Sequence, residues 1–176
     1  ESYMNLYLNN ELVTELVIPD SVTSIGDGAF ALCSSLTSIT IPEGVTTIGD
    51  YAFFGTKLNK ANATTSLITV GAATIGDKAF MNSAITKITI PASVYRIGSR
   101  AFATGSLTSV VWNAKNCESV SELFGVSAVT SASDNNIIDV VFGDSVEHIP
   151  AYLCYGMKNL KEVTIGNSVT YIGSSA

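Results

Sequence analysis

Apolar residues recur along the chain in a six-residue pattern, L-x-x-I-x-I, whose last three positions alternate apolar, polar and apolar. Alternation with a period of two is typical of a strand with one buried face, and Thr, Val and Ile favour strands. The pattern therefore predicts a series of short strands. It occurs in 13–19 "VTELVIP", 36–42 "LTSITIP", 85–91 "ITKITIP", 107–112 "LTSVVW", 137–142 "IIDVVF" and 160–165 "LKEVTI".

A second motif follows each predicted strand, and its best copy is 45–53 "VTTIGDYAF". Proline directly after three of the strands predicts their ends, because it has no N–H for a strand ladder. The glycine of the motif is predicted to permit a tight bend, the aspartate to cap a short helical turn, and the phenylalanine to fill the core. The prolines are Pro19, Pro42 and Pro91, and the isoleucines of the motif are Ile25, Ile48, Ile75, Ile97, Ile149 and Ile172.

The spacing of these isoleucines predicts a repeat protein. Three of the five intervals are 22 or 23 residues, the interval of 27 indicates an insertion within 62–71, and the interval of 52 indicates two repeats, one of them irregular at 113–136. Because one unit cannot bury its own apolar residues, the units are expected to stack into a single solenoid domain over 1–176, with about seven repeats. The uncapped edges predict that 1–176 is part of a longer array, or that an end packs on a partner.

The composition excludes several classes of protein. With 47% apolar and 14% charged residues the chain is expected to fold, since disorder needs low hydrophobicity and high net charge. A net charge of −6 with only nine Lys and Arg residues argues against nucleic acid or an anionic membrane as a partner. No segment has the roughly 20 consecutive apolar residues that would span a bilayer, so membrane insertion is not expected.

The residues also argue against an enzyme, a metal site or a cofactor. The single histidine, His148, shares its repeat position with Thr47 and Arg96, which predicts an exposed side chain without a catalytic partner. The three cysteines form no CxxC pair, so they are predicted to be small core residues, with Cys33 and Cys154 too far apart for a disulfide. The Gly-Asp pairs offer one carboxylate per repeat, which is too few ligands for calcium.

The unit 36–53 "LTSITIPEGVTTIGDYAF" resembles the BspA-like leucine-rich repeats of bacterial cell-surface proteins of the Bacteroides type, and the resemblance covers nearly the whole chain. It implies an α/β fold: a right-handed leucine-rich-repeat solenoid with a parallel sheet of short strands on the concave side, and short strands, turns and helical turns on the convex side. It also implies an extracellular or cell-surface location. The implied function is a non-enzymatic interaction module of the adhesion type, which binds host or neighbouring-cell macromolecules.

The outward positions of the predicted concave sheet are the candidate binding site, because solenoids commonly bind there. A protein or a glycan is the expected ligand, and the alternative is a structural spacer that projects another domain and has no ligand of its own. Trp112 takes an inward position and is predicted to be a core residue. The candidate ligand-binding residues are Lys87, Thr89, Ser109, Val111, Asp139, Val141, Glu162 and Thr164.

Overall fold

A computed structural model of the chain describes residues 3–59, 71–117, 122–125 and 136–176, and these form a solenoid of parallel strands. Each coil, which we call a rung, is built from a longer strand, a two-residue strand and a segment of turns, although the rung of β7 has no longer strand and the rung of β10 no two-residue strand among the described residues. The prediction of stacked rungs with short strands is confirmed. Nearly all of the predicted insertion at 62–71 and most of the irregular repeat at 113–136 lie outside the described residues.

The strands form two series that run along the array, preceded by one antiparallel hairpin. The longer strands are β3 (Glu15–Val17), β5 (Ser38–Thr40), β8 (Lys87–Ile90), β10 (Ser109–Trp112), β11 (Asp139–Phe142) and β13 (Glu162–Ile165). The two-residue strands are β4 (Ser24–Ile25), β6 (Thr47–Ile48), β7 (Thr74–Ile75), β9 (Arg96–Ile97), β12 (His148–Ile149) and β14 (Tyr171–Ile172). The hairpin joins β1 (Tyr7–Leu8) to β2 (Glu11–Leu12).

The period-two pattern of the sequence decides which side of each longer strand is buried. In β8 the side chains of Ile88 and Ile90 are buried in the core, whereas the side chain of Lys87 is exposed to solvent. The strand ends at Ile90, directly before Pro91, because proline cannot donate to the ladder. Parallel pairing in register then places apolar residues of neighbouring rungs on one another in the core.

A stack of phenylalanine rings fills the core beneath the turns, as the sequence predicts. Phe53 and Phe80 lie 5.1 Å apart between ring centroids and are nearly parallel, at an interplanar angle of 16°. Phe30 and Phe102 extend the stack at 5.4 Å on either side, and Phe124 of the irregular repeat continues it at 6.4 Å. Offset aromatic stacking at such distances adds to the free energy of apolar burial.

The prediction of helical turns, and with it the α/β class, is wrong for the described residues, which contain no helix. The residue after each motif aspartate has a left-handed backbone, with φ of 55° at Tyr51 and 53° at Lys78. A left-handed residue interrupts a right-handed helix. The N–H of Tyr51 instead donates to the Asp77 carbonyl of the next rung at 2.9 Å, and the N–H of Phe53 donates to Ala79 O at 2.8 Å. Successive N–H groups of the turn therefore alternate between bonds to the next rung and local turn bonds, such as Ala52 N–H to Gly49 O, and no helix forms.

The predicted capping role of the aspartates is also wrong. Asp50 accepts the backbone N–H of Asp77 at 2.7 Å through Oδ1, and that N–H belongs to the following rung. Asp27 accepts from Asp50 at 2.8 Å and Asp77 from Ser99 at 2.8 Å in the same way. We call this run of side-chain to main-chain bonds the aspartate ladder. It ties four consecutive rungs together along one line.

Candidate functional site: the outward face of the longer strands

The predicted outward columns align in the structure. Strands β8, β10, β11 and β13 form one four-stranded parallel sheet without a shift in register. We call its outward side the long-strand face. Its first row is Lys87, Ser109, Asp139 and Glu162, and its second row is Thr89, Val111, Val141 and Thr164. All eight candidate residues are thereby brought onto one surface, two per strand. Whether that surface binds a ligand remains a prediction.

The first row carries charges of opposite sign at its two ends. Lys87 and Glu162 are exposed, and Asp139 is half-buried beside Glu162. The hydroxyl of Ser109 donates to Asp139 Oδ2 at 2.7 Å, which holds that carboxylate against the sheet. A charged hydrogen bond of this kind is stronger than a neutral one, so the Asp139 carboxylate is oriented before any partner arrives.

The second row is apolar at its centre. Val111 and Val141 are adjacent in register and half-buried, and Thr89 and Thr164 flank them. The residues that alternate with this row, such as Val110 and Val140, point into the core and are almost fully buried. The row is therefore a flat strip of β-branched side chains on a rigid sheet, and it suits a broad contact better than a deep pocket.

The pair β3 and β5 presents a different outward surface. Val17 is 71% exposed and lies opposite the half-buried Thr40. Ser38 occupies the column of Lys87, yet it is only 5% exposed. The only charged residue of this column in the pair is Glu15, which is exposed opposite Ser38, so this part of the array has a negative charge and no positive one in its first row.

A second surface, a shallow groove of about 250 Å³, runs along the two-residue strands. It is lined by the exposed carboxylates of the aspartate ladder and by Thr47, Thr74 and Arg96. One oxygen of each aspartate already accepts a main-chain N–H. The groove residues lie in the motif that holds the rungs together, which accounts for the repetition of Gly-Asp without a ligand.

Sequence-based predictions for His148 and Trp112 are confirmed, and those for the three cysteines are confirmed in part. His148 is exposed, and its nearest ring neighbour is Tyr171 at 5.8 Å in an edge-on arrangement. Trp112 is completely buried, and its indole Nε1 has no acceptor among the described residues. Cys33 and Cys117 are buried as predicted, Cys154 is half-buried, and none of the three forms a disulfide with a described residue.

Burial controls the chemistry of two of these thiols. It raises the pKa of Cys154 from the ordinary value of 9.0 to about 11, and it raises the pKa of Cys33 in the same direction. The cause is that an apolar environment disfavours the charged thiolate. Because the thiolate is the nucleophile, neither residue is suited to nucleophilic catalysis near neutral pH.

The described parts of the chain contain no group of three or more His, Cys, Asp or Glu side chains placed to hold a metal ion. Within the same residues, no helix has the length and apolar character needed to cross a membrane.

The rung of β13 and β14 differs from the inner rungs in the exposure of the isoleucines that end its two strands. Ile165 of β13 is 47% exposed and Ile172 of β14 is 56% exposed, whereas Ile90 and Ile97 at the equivalent positions are at most 4% exposed. In the inner rungs a residue of the following rung pairs in register with this surface, as Trp112 does with Ile90 and Ile97 does with Ile75. Ile165 and Ile172 thus expose the kind of apolar surface through which the inner rungs pack on one another.

Comparison with known proteins identifies the repeat. The model of the BspA type leucine rich repeat region, present in six copies, matches residues 3–74 and 73–176. A search of curated proteins gives no match. A leucine-rich repeat protein from Eubacterium ventriosum ATCC 27560 is similar in structure, with 30% identity and a TM-score of 0.55 over 92% of this chain and 44% of its own. The chain thus spans less than half of that protein.

The leucine-rich repeat protein of T. pallidum is similar in fold, with a TM-score of 0.52 at 22% identity. That similarity covers 91% of this chain and 60% of the treponemal protein. Parallel rungs in register, the stacked phenylalanines and the family match over almost the whole described chain agree with one another. The protein belongs to the family of BspA type leucine-rich repeat proteins.

Proposed function

We propose that this domain is a non-enzymatic interaction module of a secreted or surface-attached bacterial protein, and that it binds a macromolecule of a host or neighbouring cell through the long-strand face. The observation that carries the proposal is that the repeated residues of the motif and the variable residues of the strands lie in different places and make different contacts. The residues that repeat, Gly-Asp and Ala-Phe, are occupied with bonds and packing between rungs. Many of the residues that vary lie together on the long-strand face.

The physical character of the face supports a broad macromolecular contact. Its strands are fully paired in the centre of the sheet, so the surface is rigid and changes little when a partner binds. Val111 and Val141 offer apolar contact, and Lys87, Asp139 and Glu162 offer polar contact at the edge. An apolar centre with a polar rim is the usual composition of protein interfaces.

A binding screen tests the proposal. The purified domain is immobilised and exposed to extracellular-matrix proteins, mucins and glycan arrays, next to a variant with Val111→Asp and Val141→Asp. A matched control carries Tyr95→Asp, because Tyr95 is 56% exposed and lies outside the long-strand face. We expect at least one ligand that the control retains and the double variant loses.

The competing function is a structural spacer. A spacer would bind nothing in the screen, and the double variant would then be indistinguishable from the parent in every assay except stability. Ligands that bind equally well to the double variant would also overturn the assignment of the long-strand face. Circular dichroism of each variant establishes that a loss of binding is not a loss of fold.

A further inference from the structure

We infer that the partner of the long-strand face is an extended protein segment that carries an acidic and a basic side chain four residues apart. This inference rests on the proposed function and goes beyond it by naming the chemistry of the partner. It is drawn from the order of charges along the first row, which runs from Lys87 at one end to Asp139 and Glu162 at the other.

The two ends of the row do not neutralise each other. Lys87 and Glu162 are separated by three strand spacings, or about 14 Å. That distance exceeds the Debye length of about 8 Å at physiological ionic strength. The row therefore presents a positive end and a negative end to a partner, and the two ends are accessible from the same side.

The negative end is organised in advance. The Ser109 hydroxyl holds Asp139 Oδ2 at 2.7 Å, and Glu162 is the next residue in register. Two adjacent carboxylates, one of them fixed, favour a cationic side chain over a neutral one. Lys87, on the other hand, is in no ion pair with a described residue, and it can accept an acidic group of the partner.

The geometry of the sheet selects an extended segment. An extended chain rises about 3.3 Å per residue and places residues i and i+4 on one side, about 13 Å apart. This spacing matches the separation of Lys87 and Glu162. The second row then contacts the aliphatic parts of the segment at Val111 and Val141. Since the main chain of the inner strands is already paired, side chains rather than an added strand give the recognition.

Four synthetic nine-residue peptides test the inference. They share a Thr-Val background and differ at positions 3 and 7, which hold Glu and Lys, Gln and Gln, Glu and Glu, or Lys and Lys. Dissociation constants are measured by NMR titration at 150 mM and 500 mM salt. We expect the Glu/Lys peptide to bind about two- to fivefold more tightly than the Gln/Gln peptide, as for solvent-exposed ion pairs, with the difference reduced at high salt.

Charge reversal provides the matched control. In the variant Lys87→Glu both ends of the row are acidic, so preference is expected to shift to the Lys/Lys peptide. The variant Lys78→Glu makes the same change in net charge on the turn after β7, and it should leave the ranking of the peptides unchanged.

Each outcome separates this inference from the proposed function. Equal affinity for all four peptides, or a ranking that Lys87→Glu does not alter, overturns the inference. If a ligand from the macromolecular screen depends on the long-strand face but is a glycan, the inference fails and the proposed function stands. If neither the screen nor the peptides give binding, both fail.

Discussion

Asp50 Oδ1 accepts the backbone N–H of Asp77 at 2.7 Å, so a side chain of one rung is bonded to the main chain of the next. The same bond joins Asp27 to Asp50 and Asp77 to Ser99. The aspartates therefore follow one another at the spacing of neighbouring rungs, about 4.8 Å. A carboxylate that the sequence presents as a possible ligand or cap is a structural link between repeats.

Removing one link of the aspartate ladder should have a modest cost. Asp50→Ala removes the acceptor of the Asp77 N–H, and because the site is open to water we expect a loss of about 0.5–1.5 kcal/mol in the free energy of unfolding. Asp50→Asn keeps an oxygen acceptor and removes a negative charge that lies between those of Asp27 and Asp77. It should be as stable as the parent or more stable, and most clearly so at low salt. Urea denaturation at two salt concentrations measures both effects.

The phenylalanine stack should contribute much more. Phe80 is completely buried and stacks on rings at both sides, so Phe80→Ala is expected to lower the free energy of unfolding by about 3–5 kcal/mol. Phe30 is half-buried and contacts one ring of the stack, which makes Phe30→Ala a matched control with a smaller expected loss. Equal losses for the two variants would contradict a stack whose energy comes from burial between rungs.

Stability should fall in alkaline solution through Cys154. Its pKa is raised to about 11 in the folded protein, whereas the unfolded thiol titrates near 9.0. The folded state therefore holds the thiol proton more tightly than the unfolded state does. The stability that depends on the neutral Cys154 thiol is fully present below pH 9. Between pH 9 and 11 the unfolded state loses the proton first, so stability declines by about 2 kcal/mol.

The variant Cys154→Ala isolates this contribution to the alkaline decline. It retains Cys33, whose pKa burial also raises, so a weaker decline should remain. Denaturation curves at pH 8, 9, 10 and 11 give the comparison. A parent and a variant with the same loss between pH 9 and 11 would show that Cys154 is not protected from ionisation in the folded state.

Much of this architecture could be predicted from the sequence because it depends on two regular features, the alternation of apolar and polar residues along each strand and the distance between repeats. Alternation at positions such as Lys87, Ile88 and Ile90 predicts both the strand and its buried side, and the repeat distance predicts which strands pair. The outward columns of the long-strand face follow from the same register. The stacking of Phe53 on Phe80 follows from their equivalent positions in the repeat.

Features that depend on contacts between rungs could not be predicted in the same way. An aspartate after a glycine is compatible with a helix cap, and only the stacked arrangement places the Asp77 N–H within reach of Asp50. The left-handed backbone at Tyr51 and Lys78 is stabilised by bonds to the next rung and has no signal in residue type. The hairpin does have a signal, because Asn9 and Asn10 tolerate the left-handed conformation of a two-residue turn.

Substitution of the motif glycine tests the central claim, which is that the Ile-Gly-Asp residues pack and hydrogen-bond neighbouring rungs together. Gly76 does not have a left-handed backbone, so a tight bend does not explain it. A Cβ there would lie 2.5 Å from Asp50 N and 2.5 Å from Gly49 C, which are main-chain atoms that cannot move aside. Gly26 begins the series, and a Cβ at Gly26 would have no atom within 4 Å. The two glycines therefore form a matched pair in one sequence context.

The most direct measurement is the free energy of unfolding of Gly76→Ala compared with that of Gly26→Ala. We expect Gly76→Ala to lose about 1–3 kcal/mol or more through overpacking between rungs, and Gly26→Ala to remain within about 0.5 kcal/mol of the parent. Adding Asp50→Ala to Gly76→Ala should not restore stability, because two of the three nearest atoms belong to the main chain. Equal effects of the two single substitutions would contradict the account.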